Sequence, residues 1–286
     1  MNSVQAAILG LIQGFTEFLP VSSSGHLVVF TKLFNLPTDL AFDTVVHFAT
    51  LFAVVIYFWN DLRKIVVSWI SALISLIKTM PSLSKFKGKA IDLYNNDLSF
   101  KLGWLVLMGT IPTMAIGFTF KDFFETLFGS PFAVGCFFVV TAVILIGAEM
   151  IFSKNSALAR GEDKMNLWDA IIVGVFQGCA IAPGISRSGS TISGSLVRGL
   201  KRELAARYSF LLAIPAILGA GILQIKKITA ADFQILMVGF VFAAISGYVA
   251  IDWLMKIIKK YSIRSFAYYL LIAGPIVIML SLYLKW

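Results

Sequence analysis

Along its 286 residues the chain alternates long apolar stretches with short polar connections that carry Lys and Arg. Six stretches, at 43–59, 102–120, 132–152, 207–225, 233–255 and 265–284, run for roughly twenty residues almost without charge. Their apolar residues do not alternate with polar ones, so each predicts an α-helix rather than a barrel strand. At 1.5 Å per residue each is long enough to cross about 30 Å of hydrocarbon. Two further apolar stretches, 4–33 and 167–197, are broken by polar centres containing Gly and Pro, at 13–26 and 177–190. Each half is too short to cross. The pattern predicts a re-entrant hairpin in both places: a short helix in, an unwound loop at mid-depth and a short helix back. Such a loop is tolerable only when buried in protein or lining a cavity.

The two broken stretches repeat each other. Gly10, Gln13 and Gly14 match Gly174, Gln177 and Gly178, and Ser22, Ser24 and Gly25 match Ser186, Ser188 and Gly189, all at an offset of 164 residues; Pro20 and Pro183 fall out of step by one. The first span after each hairpin keeps the same offset. An insertion at 60–101 in the first half then shifts the later spans. The organisation expected is therefore one membrane domain over 1–286, with repeat one at 1–152 and repeat two at 167–286. Each copy holds one hairpin and three spans, about ten helices in all. Three is odd, so the second copy enters the membrane inverted. That is the plan of many transporters, with a site where the broken helices meet near the midplane.

Composition closes off other classes. The apolar set makes up 58% of the chain and charged residues only 14%, far from the soluble norm, which excludes soluble, disordered and fibrous readings. The fold class is all-α, a polytopic integral membrane protein. The net charge of +9 is explained by topology rather than by nucleic acid. With hairpins that do not cross, segments 60–101, 153–167, 196–207 and 256–264 share one side and hold 18 of the 24 Lys and Arg; Lys32, Lys121, Lys226, Lys227 and Lys285 lie opposite, and Arg187 sits inside the second hairpin. The positive-inside rule puts the rich side in the cytoplasm and both termini outside. Within the insertion, 62–79 is apolar but flanked by Arg63, Lys64 and Lys78, and is expected to lie at the interface; Lys85, Lys87 and Lys89 form a solvated stretch attracted to anionic lipid. Cys136 and Cys179 offer no disulfide framework and no metal spacing, and are expected to pack. The first residues lack a basic region, so no removable signal is expected.

Chemistry concentrates in the hairpins. A carboxylate, a histidine and an arginine at membrane depth are each costly and point to function. The first hairpin carries Gln13, Glu17, Ser22, Ser23, Ser24 and His26. Gln13 and Glu17 share a helix face at i, i+4, Pro20 ends that helix, and His26 is placed to return to the same pocket. The second carries Gly184, Ser186, Arg187, Ser188 and Thr191 in an unwound loop that opens a new helix. A helix N-terminus with a guanidinium beside it is an anion cradle. An anion cradle facing a carboxylate, hydroxyls and an imidazole, in a protein surrounded by lipid, suggests a lipid phosphate or diphosphate as substrate. The plainer readings are helix-capping serines, a structural Glu17–Arg187 pair, a hydrogen-bonded packing role for His47, and paired or snorkelled Glu149 and Asp252; Asp43 lies at an outer span end, within reach of the site mouth.

The run from Gln13 to His26 (QGFTEFLPVSSSGH) and that from Pro183 to Thr191 (PGISRSGST) resemble the motifs of the undecaprenyl-diphosphatase family, the bacitracin-resistance membrane phosphatases, and length and span pattern agree over essentially the whole chain. The first family motif is (E/Q)xxxE, here with Gln13. The resemblance implies hydrolysis of undecaprenyl diphosphate to undecaprenyl phosphate and inorganic phosphate, which recycles the carrier for peptidoglycan and other envelope polymers. It also implies a divalent cation, Mg²⁺ or Ca²⁺, and a site open to the outer face of the bacterial cytoplasmic membrane. By motif position Glu17, Ser23, His26 and Arg187 would be catalytic, with Gln13, Ser22, Ser24, Gly184, Ser186, Ser188 and Thr191 around the substrate and Glu17 as the one metal ligand. Spacing leaves the nucleophile open between Ser23, His26 and water. The competing function is a transporter or flippase of the lipid carrier. Against it, Glu17 corresponds to Ile181 and His26 to Ser190, so acid/base groups occupy one half only. Expected partners are the polyprenyl diphosphate, membrane lipids and, as a homodimer, a second copy of the chain.

Overall fold

A computed structural model describes residues 1–37, 39–79, 83–127, 129–225 and 233–286; Lys226 and Lys227 of the charge count lie outside them. The described residues form thirteen α-helices and no strand: α1 (Ser3–Phe18), α2 (Ser23–Leu33), α3 (Leu40–Tyr57), α4 (Trp59–Thr79), α5 (Leu83–Asn96), α6 (Leu98–Thr119), α7 (Lys121–Leu127), α8 (Pro131–Asn155), α9 (Leu167–Cys179), α10 (Arg187–Val197), α11 (Arg202–Ile225), α12 (Phe233–Ile258) and α13 (Arg264–Leu284). Six of them, α3, α6, α8, α11, α12 and α13, are long and apolar enough to cross a membrane. This is an all-α, multi-pass membrane protein. The spans begin up to five residues before their apolar cores because helices start at their caps. Asp39, Asp97 and Ser130 accept from the backbone N–H groups that open α3, α6 and α8. Three helices lie in connections rather than in the repeat: α4, where an interfacial segment was expected, and α5 and α7, which were not foreseen.

Both hairpins are built alike. A capping box starts each: Asn2 with Gln5 for α1, and Asn166 with Asp169 for α9. After each break a serine opens the returning helix; Ser22 accepts from the Gly25 N–H and Ser186 from the Gly189 N–H. Each first arm then packs on the second span of the other half, α1 on α12 and α9 on α6. The repeated glycine makes this possible. A Cβ on Gly10 would lie 2.5 Å from the Gly239 carbonyl oxygen, and one on Gly174 only 2.1 Å from that of Gly109, so the backbones touch as small-residue interfaces in membranes allow.

The four Lys/Arg-rich segments meet one another. Arg207 pairs with Asp61 and Glu162, Arg160 and Arg198 enclose the fully buried Asp169, the Lys101 ammonium donates to the Asp163 carbonyl, and Lys259 pairs with Glu203. Glu149 is held bidentate by Arg202 and also accepts from the Ile263 N–H, while Asp252 pairs with Lys256. α4 rests Trp69 against Phe100 and Trp104 of α6 and ties Ser68 to Asp97, leaving Val66, Val67, Ile70, Leu73, Ile74 and Ile77 exposed. Cys136 and Cys179 are free; Cys179 is exposed, not a packing residue.

Candidate active site

The tips of the two hairpins touch. The Ser188 hydroxyl donates to the Leu19 carbonyl at 3.1 Å across the break of the first hairpin. The second loop is fixed from outside by Thr141 of α8, whose hydroxyl donates to the Gly184 carbonyl and accepts from the Ser186 N–H, both at 3.1 Å. Gly184 has φ +97°, and a Cβ there would lie 2.7 Å from the Val134 carbonyl oxygen, so only glycine fits. The first loop holds Ser22 at φ +70°, a costly conformation for a residue with a side chain.

Glu17 stands at the junction. One carboxylate oxygen accepts from Arg187 of the other hairpin; the second accepts from the Ser23 hydroxyl and, at 3.1 Å, from the Gln13 amide. Arg187 keeps its Nη1 buried and without a protein partner. These groups border a cavity of about 750 Å³ lined by Glu17, Ser22, Ser23, Ser24, Ser186 and Arg187, and further out by Asp43, Lys32 and Lys121. Its size suits a lipid headgroup.

The remaining predicted residues lie behind this lining. Gln13 is fully buried against Glu17. Gly184 and Ser188 hold the second loop in place. Thr191, expected to contact the diphosphate, is fully buried in the core, bonded to the Arg187 and Ser188 carbonyls and to Ser209 of α11. One turn of α10 beyond Arg187 carries it past the site. His26 likewise does not return to the pocket. Its Nδ1–H donates to the Ser22 carbonyl at 2.7 Å, its Nε2 accepts from the Tyr269 hydroxyl at 2.7 Å, and its ring lies between Phe138 and Tyr269. Both nitrogens are spent on holding the Ser22 turn.

The imidazole that does face the cavity is His47, read from the sequence as packing. Its Nδ1–H donates to the Asp43 carbonyl at 2.7 Å, and its Nε2 stands 3.9 Å from Glu17. The signal was present as Asp43, Thr44 and His47 near the start of one apolar span, but its direction depends on the helix starting at Leu40. A divalent cation does not fit on Glu17 as the groups stand. All three hydrogen-bond partners of the carboxylate are donors, one of them a permanent cation, and among the described residues no group of three or more His, Cys, Asp or Glu gathers to hold a metal.

Residues 6–276 match the family model described as bacitracin resistance protein BacA. The chain is 43% identical to the undecaprenyl-diphosphatase of Methanosphaera stadtmanae over 99% of its own length and 100% of the relative's. It is 43% identical to that of Carboxydothermus hydrogenoformans, covering 98% of each, and 40% identical to that of Halothermothrix orenii, covering 98% and 99%. With a junction of two hairpins at its centre and these matches over almost every residue, the chain belongs to the BacA bacitracin-resistance family.

Proposed function

We propose that this protein hydrolyses undecaprenyl diphosphate to undecaprenyl phosphate and inorganic phosphate, and so recycles the carrier lipid and confers bacitracin resistance. The observation that carries the reading is the junction itself. A carboxylate and a guanidinium from opposite hairpins meet at a headgroup-sized cavity, with one guanidinium nitrogen left free. Relatives sharing about two-fifths of the sequence bear the name of that activity.

Arg187 binds the terminal phosphate through its free Nη1 and, with the start of α10, neutralises charge that develops on the equatorial oxygens; in phosphoryl transfer such positioning is most of the catalysis. Ser23 is the nucleophile. Its hydroxyl already donates to Glu17, which takes the proton as the oxygen attacks the terminal phosphorus. Ser22, Ser24 and Ser186 supply hydroxyls to the phosphate oxygens. Lys32 and the Lys121–Glu125 pair also line the cavity, with Asp39 and Asp43. The Mg²⁺ or Ca²⁺ implied by the family would enter as counter-ion of the diphosphate rather than through Glu17. The Lys/Arg-rich segments face the cytoplasm and the cavity opens to the outer face of the cytoplasmic membrane.

Incubating the purified protein in detergent with undecaprenyl diphosphate and Mg²⁺ is expected to release phosphate, and Arg187→Ala to abolish it. No release by the intact chain would overturn the assignment.

A further inference from the structure

Hydrolysis of a diphosphate liberates a proton each turnover, and Glu17, the group that first receives it, is almost sealed from solvent with its side chain 5% exposed. Arg187 stays protonated and cannot carry the proton on. Among the described residues the other ionisable side chain within 4 Å of the carboxylate is His47, whose own side chain is 35% exposed. The Asp43 carbonyl can only accept, so Nδ1 of His47 carries hydrogen and the neutral ring offers Nε2 as its base, toward Glu17 and the cavity. His26 cannot take this part, since Ser22 and Tyr269 occupy both its nitrogens.

We infer that His47 is the proton relay of this site, taking from Glu17 the proton shed by the nucleophile and passing it to water at the cavity mouth. The inference rests on the hydrolytic reading above. Ser23 Oγ bonds to the terminal phosphorus as the bridging P–O bond breaks, and the lipid phosphate leaves with that bond's electron pair. The hydroxyl proton moves to Glu17 and then to Nε2 of His47. Water next attacks the phosphoserine, the Oγ–P bond breaks, and hydrogen phosphate leaves while one proton of the water restores the Ser23 hydroxyl. One proton per cycle therefore remains to be exported, on the imidazole. The charged groups that line the cavity with that imidazole are Glu17 and Arg187 at the junction, Asp39 and Asp43 at the start of its own helix, Lys32, and the Lys121–Glu125 pair; α11 lines its side of the cavity with Ala216, Ala220 and Gln224 and no charge.

The test compares the wild type, His47→Ala and His47→Gln in detergent, with polyprenyl diphosphate as substrate and phosphate release as readout. Both variants are expected to fold, to keep KM, and to lose kcat by about a hundredfold, the scale of acid/base assistance. Added imidazole is expected to restore turnover in His47→Ala, and the solvent deuterium isotope effect to rise in both. Unchanged kcat in the two variants, or a loss confined to KM and indifferent to imidazole, would overturn the relay while leaving the phosphatase standing. A wild type that releases no phosphate would overturn both.

Discussion

Arg187 reaches from the start of α10 in the second hairpin to Glu17 in the first, joining residues 170 positions apart, with Glu17 buried and Arg187 half-buried at the contact. The pair locks the two tips together and leaves Nη1 of Arg187 without a protein partner. Removing one partner strands the other. Arg187→Ala and Glu17→Ala are each expected to cost about 3–5 kcal/mol of stability together with at least a hundredfold in turnover. Arg187→Lys keeps the charge but not the fork, and is expected to retain more stability than activity. Thermal unfolding in detergent, run beside phosphate release, separates the two losses.

Ser23→Ala removes the attacking oxygen and one donor to Glu17. Turnover is expected to fall by three or more powers of ten, while Ser24→Ala costs less than tenfold. Mass spectrometry of acid-quenched wild type is expected to find phosphate on Ser23; retained turnover in Ser23→Ala would assign the attack to water.

Tyr269 acts on the site only through His26. Tyr269→Phe deletes one hydrogen bond, expected to cost about 1 kcal/mol and a few-fold in kcat, with the pH profile unchanged. His26→Ala releases the Ser22 carbonyl as well and is expected to cost more of both. A shifted pH profile in Tyr269→Phe would show that His26 titrates during turnover.

Chelation tests the counter-ion role. EDTA is expected to suppress phosphate release, and Mg²⁺ to restore it at concentrations that follow the diphosphate present. Glu17→Gln, which keeps the shape of the side chain, is expected to leave that Mg²⁺ dependence unchanged while lowering kcat.

Asp97 lies outside the spans as the cap of α6. Burial pushes its carboxyl up, but the Ser68 hydroxyl and the Phe100 and Ser99 amides outweigh this and hold it below the usual value. A depressed carboxyl contributes stability that is present above its unfolded pKa and is lost as the pH falls through its folded one. Asp97→Ala is expected to lower stability by about 1 kcal/mol at neutral pH, with the difference from wild type shrinking in acid when thermal unfolding is followed against pH.

Helices and hairpins were legible because they follow from apolar length and from where Pro and Gly interrupt it. The pairing of Glu17 with Arg187 was legible because two costly charges at the same depth have to find each other. Sequence spacing did not reveal side-chain direction. His26 and Thr191 sit at plausible distances from the loops, yet each begins a turn of helix whose phase carries it into the protein. His47 is carried the other way, into the cavity, by a helix that starts three residues before the apolar run. Asp169 went unnoticed because its two arginine partners lie in separate segments on either side of it.

The crossed packing of the hairpins bears on how the chain is put together in the cell. The arm beginning at Ser3 finds the backbone of Gly239 only after more than two hundred further residues have left the ribosome, whereas Gly174 meets Gly109 as soon as it emerges. The second hairpin can dock during synthesis; the first must wait, with Glu17 exposed, until nearly the entire chain has entered the bilayer. A chain that stops short of Gly239 therefore lacks the surface on which the first hairpin packs.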